Sequence, residues 1–167
     1  MRVIKLGGSL AKNENLIACL KYIDCNFPYG TLIVPGGGGF ADQVRLAQVQ
    51  WSFNDNAAHQ MAILAMQQMA IMFKALQPKW GLLRSISELH TSSGISIWLP
   101  DIDMLNQHQL PASWDITSDS LAAWLATQVH ATELTIVKSA HCPKDLQIPE
   151  LVKTGILDNA FLDYFRP

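Results

Sequence analysis

Residues 3–9 read Val3-Ile4-Lys5-Leu6-Gly7-Gly8-Ser9. The pattern predicts a short strand over residues 3–6 that ends in a glycine turn. Only glycine lets main-chain N–H groups come close to a polyphosphate, and a lysine just before such a turn can offset the charge of a phosphoryl group. A plain strand-to-helix turn with a surface lysine explains the same residues equally well. The glycine spacing matches neither the Walker loop nor the dinucleotide-binding G-x-G-x-x-G pattern.

A longer glycine run closes the second apolar segment, Thr31-Leu32-Ile33-Val34-Pro35-Gly36-Gly37-Gly38-Gly39-Phe40. Four consecutive glycines lose much conformational entropy on folding. They therefore favour a loop pressed against a ligand over a flexible connector, particularly where the next helix presents free N–H groups to an anion. In parallel α/β sheets, ligands bind outside the carboxyl ends of the strands, and both glycine loops fall there.

The rest of the chain alternates between strand-like and helix-like patterns. Further strands are predicted over 95–99 and 134–138, a loop over 101–114, and helices over 13–23, 40–50, 54–76, 119–129 and 159–165. Asn13 or Asn15 is the expected cap of the first helix and Asn54 or Asp55 that of the third. The helix over 54–76 is apolar on almost all sides, so it is expected in the middle of the structure. Strands alternating with crossover helices predict an α/β fold, a three-layer αβα sandwich with a mostly parallel sheet.

Composition excludes several classes of protein. The chain has 167 residues, 49% of them hydrophobic and 16% charged, with a net charge of −2, so we expect one globular domain over 1–167. Without a basic field, neither nucleic acid nor an anionic membrane is an expected partner. The start of the chain runs directly into a strand, which predicts no signal peptide. Three cysteines without metal-ligand spacing indicate reduced thiols, and hence the cytoplasm.

The third informative stretch is Trp114-Asp115-Ile116-Thr117-Ser118-Asp119-Ser120. Thr117 or Ser118 before an apolar helix is typical of an N-cap and needs no further explanation. An acidic residue at a helix start can equally hold a lysine ammonium in place. An ion pair between Asp119 and Lys5 is what a phosphoryl-transfer site needs in order to orient its cation.

These three stretches, in this order, resemble the amino acid kinase superfamily, which includes acetylglutamate, uridylate and isopentenyl phosphate kinases. The resemblance covers nearly the whole chain. It implies an αβα sandwich that transfers the γ-phosphoryl group of Mg·ATP to a carboxylate, carbamate or phosphate, with no covalent enzyme intermediate. It implies that Lys5 stabilises the transferring group and Asp119 orients Lys5. The loop residues take binding roles: Gly7, Gly8 and Ser9 for the phosphates, and Gly36, Gly37, Gly38 and Gly39 for the acceptor.

A narrower likeness concerns the aminomethylfuran phosphate kinase branch, which acts in methanofuran biosynthesis; related chains occur in one-carbon metabolism. It is carried by Gly39-Phe40-Ala41-Asp42-Gln43-Val44-Arg45, by Asp55-Asn56-Ala57-Ala58-His59-Gln60-Met61-Ala62 and by the stretch 114–120. An acceptor of that branch bears a phosphate, which Arg45 would grip with its planar fork. An exposed helix arginine is an equal alternative. Asp55 and His59 share a helix face and can contact substrate or each other, or His59 is a core histidine.

The chain departs from the superfamily after the last predicted strand. The Asp-Gly turn that usually meets the nucleotide is replaced by Val137-Lys138-Ser139-Ala140-His141-Cys142, and no later glycine-rich segment with a second catalytic lysine is visible. We therefore expect a shortened nucleotide half, in which Lys138 contacts the ATP phosphates or faces solvent. No metal-ligand set is assigned. The alternatives to a kinase are a ligand-binding relative and a partner subunit of other enzymes; a homodimer is compatible with each.

Overall fold

A computed structural model describes residues 1–12, 14–143 and 145–165. Its sheet has five strands within these residues, β1 (Arg2–Leu6), β2 (Thr31–Pro35), β3 (Gly81–Leu83), β4 (Ile95–Trp98) and β5 (Glu133–Val137). Their order is β3-β4-β2-β1-β5, and every pairing is parallel. Lys5 lies between Val34 on one side and Ile136 on the other. The carboxyl ends of β1, β2 and β5 consequently meet at one place on the edge of the sheet.

Helices cover both faces of the sheet and complete the predicted three-layer α/β architecture. A 3₁₀ helix over Gly8–Lys12 is followed by α1 (Asn15–Asn26), α2 (Gly38–Trp51), α3 (Asp55–Leu76), α4 (Ile86–Thr91), α5 (Ile102–Gln107), α6 (Ser118–Gln128), α7 (Ile148–Lys153) and α8 (Phe161–Tyr164). Successive side chains of a strand point to opposite faces, and in β1 Val3 enters one hydrophobic core while Ile4 and Leu6 enter the other. The first core is completed by α4, α5 and α6 and the second by α1, while α3 contributes to both.

The sequence predicted the strands and the long helices with clear apolar patterns well. The strands predicted over 3–6, 31–34, 95–99 and 134–138 are present to within one residue at their carboxyl ends. The cap of α3 is confirmed, since the Asn54 side chain accepts a hydrogen bond from the Ala57 N–H. Helix α2 begins at Gly38, two residues earlier than predicted, and the φ of +56° at Gly38 is a conformation that favours glycine.

Several other predictions of element boundaries, and of the shorter elements, are wrong. The first long helix begins after Glu14 rather than at residue 13, so Asn15 is its first residue and not its cap, while Asn13 lies outside the described residues. The predicted loop over 101–114 contains α5, which Asp101 caps by accepting from the Met104 N–H. The terminal helix is limited to Phe161–Tyr164. The elements β3, α4 and α7 were not predicted at all.

The expected central position of α3 is also wrong. One side of the helix packs into the cores, but Met61, Leu64 and Ile71 on the other side are exposed. The apolar composition of this helix therefore reflects two apolar surfaces, of which the fold buries one. Among the described residues, none of the helices has the length and apolar character needed to cross a membrane.

Candidate active site

The carboxyl end of β1 places a buried lysine against a buried aspartate. Lys5 is 3% exposed and Asp119, in the first turn of α6, is fully buried. Lys5 Nζ lies 2.6 Å from Asp119 Oδ1. Lys138, the residue after β5, bonds the other oxygen, Asp119 Oδ2, with its ammonium group. One carboxylate thus bridges two lysines that arrive from neighbouring strands.

Burial and charge act on Lys5 in opposite directions. Desolvation lowers the pKa of Lys5 most strongly, the neighbouring Asp119 carboxylate raises it, and the Lys138 ammonium lowers it again. A buried cation needs a partner to remain charged, and Asp119 is that partner. Lys138 is half-buried and retains access to the cleft.

The two glycine loops pack backbone against backbone beside this trio. A Cβ on Gly8 would lie 2.1 Å from the Gly38 nitrogen, and one on Gly36 would lie 2.6 Å from the Gly8 nitrogen. Glycine is therefore required here by loop–loop packing as well as by any approach of a ligand. Gly7, Gly8, Gly37 and Gly38 line the cleft above the loops. Gly36 is buried behind it, and Gly39 faces open space.

The cleft has a volume of about 220 Å³ and is rich in cations. Lys5, Lys12, Arg45 and Lys138 line it, together with the carboxylates Asp42 and Asp55 and with Ser9 and His59. Lys12 Nζ lies 3.0 Å from Asp42 Oδ2 at the mouth, with more than half of the lysine side chain exposed. Burial lowers the pKa of His59, so its imidazole is neutral near pH 7 in the free protein.

Arg45 lines the cleft and is held in place by its neighbours. Its guanidinium lies 4.2 Å from the centroid of the Trp114 ring, and Nη1 is 3.9 Å from Asp42 Oδ1. The Trp114 indole N–H donates to Gln48 Oε1 at 2.6 Å, and Gln48 Nε2 donates to Asp55 Oδ1 at 2.9 Å. A side chain ordered by stacking and hydrogen bonds loses less entropy when it binds a ligand. Asp55 was expected to contact the substrate or His59. It bonds Gln48, and both Asp55 and His59 line the cleft.

Three residues of the site were missed by the sequence interpretation. Lys12 carries no distinguishing pattern, and Trp114 was quoted within a motif without a role. Asp158 was not considered at all, although its carboxylate bonds the start of the helix that bears Asp119. Nothing local to residue 158 indicates this contact, since its partners lie about forty residues away.

This fold is that of the amino acid kinase family. Residues 1–141 match the model of that family, and the chain belongs to it.

Relatives and solved structures agree with the family assignment. The chain is 29% identical over 143 residues to (5-(aminomethyl)furan-3-yl)methyl phosphate kinase of Methanocaldococcus jannaschii, an alignment that covers 81% of this chain and 64% of the relative. It therefore spans less than two thirds of that relative's length. The fold is similar to uridylate kinase of Archaeoglobus fulgidus, with a TM-score of 0.63 at 16% identity over 89% of this chain and 70% of that one. UMP kinase of Bacillus anthracis gives a TM-score of 0.62 at 16% identity, over 97% and 81% of the two chains.

Proposed function

We propose that the chain is a phosphotransferase that moves the γ-phosphoryl group of ATP to a phosphate monoester. The observation that carries the proposal is the bridge from Lys5 through Asp119 to Lys138, whose two lysines line the same cleft as both glycine loops. Four cationic side chains and two carboxylates line the cleft, so its lining carries a net positive charge. Such a fixed charge stabilises phosphoryl oxygens as negative charge shifts during transfer.

The reaction needs positioning and charge compensation rather than a covalent intermediate. An oxygen of the acceptor phosphate attacks the γ-phosphorus of ATP, the bond from that phosphorus to the β,γ-bridging oxygen breaks, and ADP leaves with the electron pair. A new phosphoanhydride forms on the acceptor. Lys5 contacts the transferring group and Lys138 the phosphates of the nucleotide, to which the Gly8 N–H also donates. The Gly7 N–H instead donates to the Val137 carbonyl at 2.9 Å and holds the loop against β5.

We infer that the nucleotide extends beyond the cleft lined by Lys5, Arg45 and Lys138. Its volume of about 220 Å³ is below the roughly 300–1,000 Å³ that bury a drug-sized ligand. It suits a small acceptor and the transferring phosphates. Lys138 then takes the place of the second lysine expected from the superfamily. Mg²⁺ in such sites is bound mainly by substrate phosphates and water, with only one or two protein carboxylates, so we infer that it enters bound to ATP.

The acceptor side favours a phosphate over a carboxylate. Arg45 stacked on Trp114 presents a planar donor to the cleft, where Lys12 adds a further cation. Bidentate guanidinium contacts match a phosphate well. The M. jannaschii relative is named for an aminomethylfuran phosphate, and we propose an acceptor of that class. We further propose that residues 1–167 act as one domain in the cytoplasm, which agrees with the three free thiols of Cys19, Cys25 and Cys142.

An ATP-turnover assay with an aminomethylfuran phosphate, and with the corresponding alcohol, tests this function. We expect ADP to form with the phosphate and not with the alcohol, and Lys5→Met to abolish it. Lys21→Met, which removes an exposed lysine of α1 remote from the cleft, is the matched control and should retain activity. ADP formation that is equal with both acceptors, or unaffected by Lys5→Met, would contradict the proposal.

A second candidate function follows from the small volume of the cleft. A chain that binds the phosphate acceptor but turns over no ATP would act as a binding subunit. Calorimetric titration separates the two functions: binding of the acceptor with no binding of Mg·ATP and no ADP formation favours the binding subunit.

We also propose that a second copy of the chain covers the outer face of α2 and α3. Of the twelve large apolar side chains exposed among the described residues, eight lie on these two helices: Phe40, Leu46, Val49, Trp51, Met61, Leu64, Ile71 and Leu76. An apolar patch of this kind marks an interaction surface. Sedimentation velocity should show a dimer that Leu64→Lys with Ile71→Lys dissociates. Leu162→Lys, at an exposed leucine outside the patch, should leave it intact, and a monomeric wild type would refute the dimer.

A further inference from the structure

The carboxylate of Asp158 occupies the amino-terminal turn of α6. Its Oδ2 accepts hydrogen bonds from the backbone N–H groups of Thr117, Asp119 and Ser120 at 3.0, 3.1 and 3.0 Å, and from Ser120 Oγ at 3.2 Å. Its Oδ1 accepts from Thr117 Oγ1 at 2.7 Å. A negative charge at a helix amino terminus is favourable because the free N–H groups and the helix dipole both point at it.

A carboxylate this far along the chain replaces the cap that the helix would ordinarily supply for itself. Thr117 is the N-cap residue, yet its side chain makes no capping bond and instead donates to Asp158. Ser120, fully buried in the same turn, also directs its hydroxyl at Asp158. Every one of these contacts fixes the short stretch of backbone from which the Asp119 side chain emerges.

The segment that carries Asp158 is docked on α6 by its own packing. Leu157 and Phe161 are buried against Ala123. The segment is also bonded to the stretch 114–120 that precedes α6. The Ala160 N–H donates to the Asp115 carbonyl at 3.1 Å, and Asn159 Nδ2 donates to Asp115 Oδ1 at 2.8 Å. This segment lies outside residues 1–141, the part that matches the family model.

We infer that Asp158 is a positioning residue for phosphoryl transfer, acting through Asp119 to hold the ammonium groups of Lys5 and Lys138 at the floor of the cleft. The inference rests on the proposed function. Asp158 does not line the cleft, and both of its carboxylate oxygens are bonded to the first turn of α6, so its effect on the reaction passes through Asp119. Asp119 must bridge two cations with its two oxygens, so a small rotation of the first turn of α6 breaks one bridge or the other. A displacement of about 1 Å in a catalytic group can lower a rate by about a hundredfold.

Two substitutions of Asp158 separate its hydrogen bonds from its charge. Asp158→Ala removes both. In Asp158→Asn, the amide oxygen can accept from the three backbone N–H groups while the amide nitrogen donates to Thr117 Oγ1, so the bonds are kept and the charge is lost. We expect Asp158→Ala to lower kcat about ten- to a hundredfold with little change in the KM for the acceptor, and Asp158→Asn to restore most of kcat.

Val129→Ala is the matched control for a general loss of stability. Val129 is 3% exposed and lies at the opposite end of α6, so its truncation weakens the packing of the same helix without touching the first turn. This variant should retain a kcat close to that of the wild type. Asp158→Glu keeps the charge but displaces the carboxylate by one methylene, so it should also lower kcat. It replaces Asp158→Ala in the comparison if Asp158→Ala does not fold.

Each outcome decides the inference. A kcat for Asp158→Ala within about threefold of wild type, a Val129→Ala variant equally impaired, or an Asp158→Asn variant no better than Asp158→Ala would overturn it. A wild type that turns over no ATP refutes the proposed function and leaves the positioning to be decided by NMR. Asp158→Ala must then accelerate amide exchange of Thr117, Asp119 and Ser120 and shift the Nζ resonances of Lys5 and Lys138, and Asp158→Asn must reverse both effects. Unchanged exchange and resonances would overturn the inference on their own.

Discussion

Replacing Asp119 with asparagine should destabilise the protein more than replacing the lysine it neutralises. Asp119→Asn leaves Lys5, which is 3% exposed, without its ion-pair partner, and only the weaker attraction of the Asp158 carboxylate remains. Removing one partner of a buried ion pair costs about 3–5 kcal/mol, and in a protein of this size that loss lowers Tm by about 6–20 °C. Lys5→Met instead leaves Asp119 bonded to Lys138, so the loss is nearer to the about 1.5–3 kcal/mol of one charged hydrogen bond.

The double variant Lys5→Met with Asp119→Asn gives the sharpest test of this reasoning. It removes the buried cation together with its partner, while the half-buried Lys138 can turn into solvent. We therefore expect the double variant to be more stable than Asp119→Asn by at least about 1 kcal/mol, measured by urea unfolding at pH 7. Simple addition of the two single losses would make it the least stable of the three.

Raising the pH should narrow the difference in unfolding free energy between the double variant and Asp119→Asn. Burial already lowers the pKa of Lys5, and loss of Asp119 lowers it further. Between this folded-state pKa and the unfolded value of about 10.4, the unfolded chain binds the extra proton, so the stability of Asp119→Asn rises with pH. The double variant lacks the titrating group and serves as the reference. A loss below about 1 kcal/mol for Asp119→Asn, a double variant that is less stable still, or a difference that widens from pH 7 to 10 would refute the buried-charge reasoning.

Three further predictions concern the cleft. Gly8→Ala should destabilise the protein or abolish activity, because its Cβ would lie 2.1 Å from the Gly38 nitrogen, whereas the Cβ of Gly39→Ala meets no atom within 4 Å and should be tolerated. Thermal melts and ATP turnover compare the two variants, and equal behaviour would argue against loop–loop packing. Arg45→Ala should weaken binding of a phosphate-bearing acceptor about ten- to a hundredfold and that of its dephosphorylated analogue hardly at all, as measured by titration calorimetry; equal losses would make Arg45 a structural residue. Lys138→Met and Asp119→Asn should each lower kcat by a large factor, and the double variant should lower it by little more, since the effects of residues that act as one unit are not additive. Losses of kcat that multiply in the double variant would count against the bridge.

Long, strongly patterned segments were predictable because their information is local. An apolar run that ends in glycines, as at 31–39, predicts a buried strand and the loop after it, and the run over 54–76 predicts a helix. With the strand order of an α/β fold, those local patterns also placed Lys5 and both glycine loops at one edge of the sheet. The elements β3, α4 and α7 span three to six residues, too few for a periodicity to show, and they form because of the surfaces they pack against.

The sequence by itself determined the family, the parallel sheet and the residues that meet at its edge, because glycine runs, apolar periods and short motifs are read along the chain. Only the tertiary structure decided how Asp119 is held. The sequence indicated Thr117 or Ser118 as the cap of α6. Thr117 is indeed the N-cap residue, but the carboxylate of Asp158 accepts the hydrogen bonds that a cap side chain would accept. A helix terminus accepts whichever anion the fold brings to it, and a contact between residues about forty positions apart is fixed by the packing of Leu157 and Phe161 on α6.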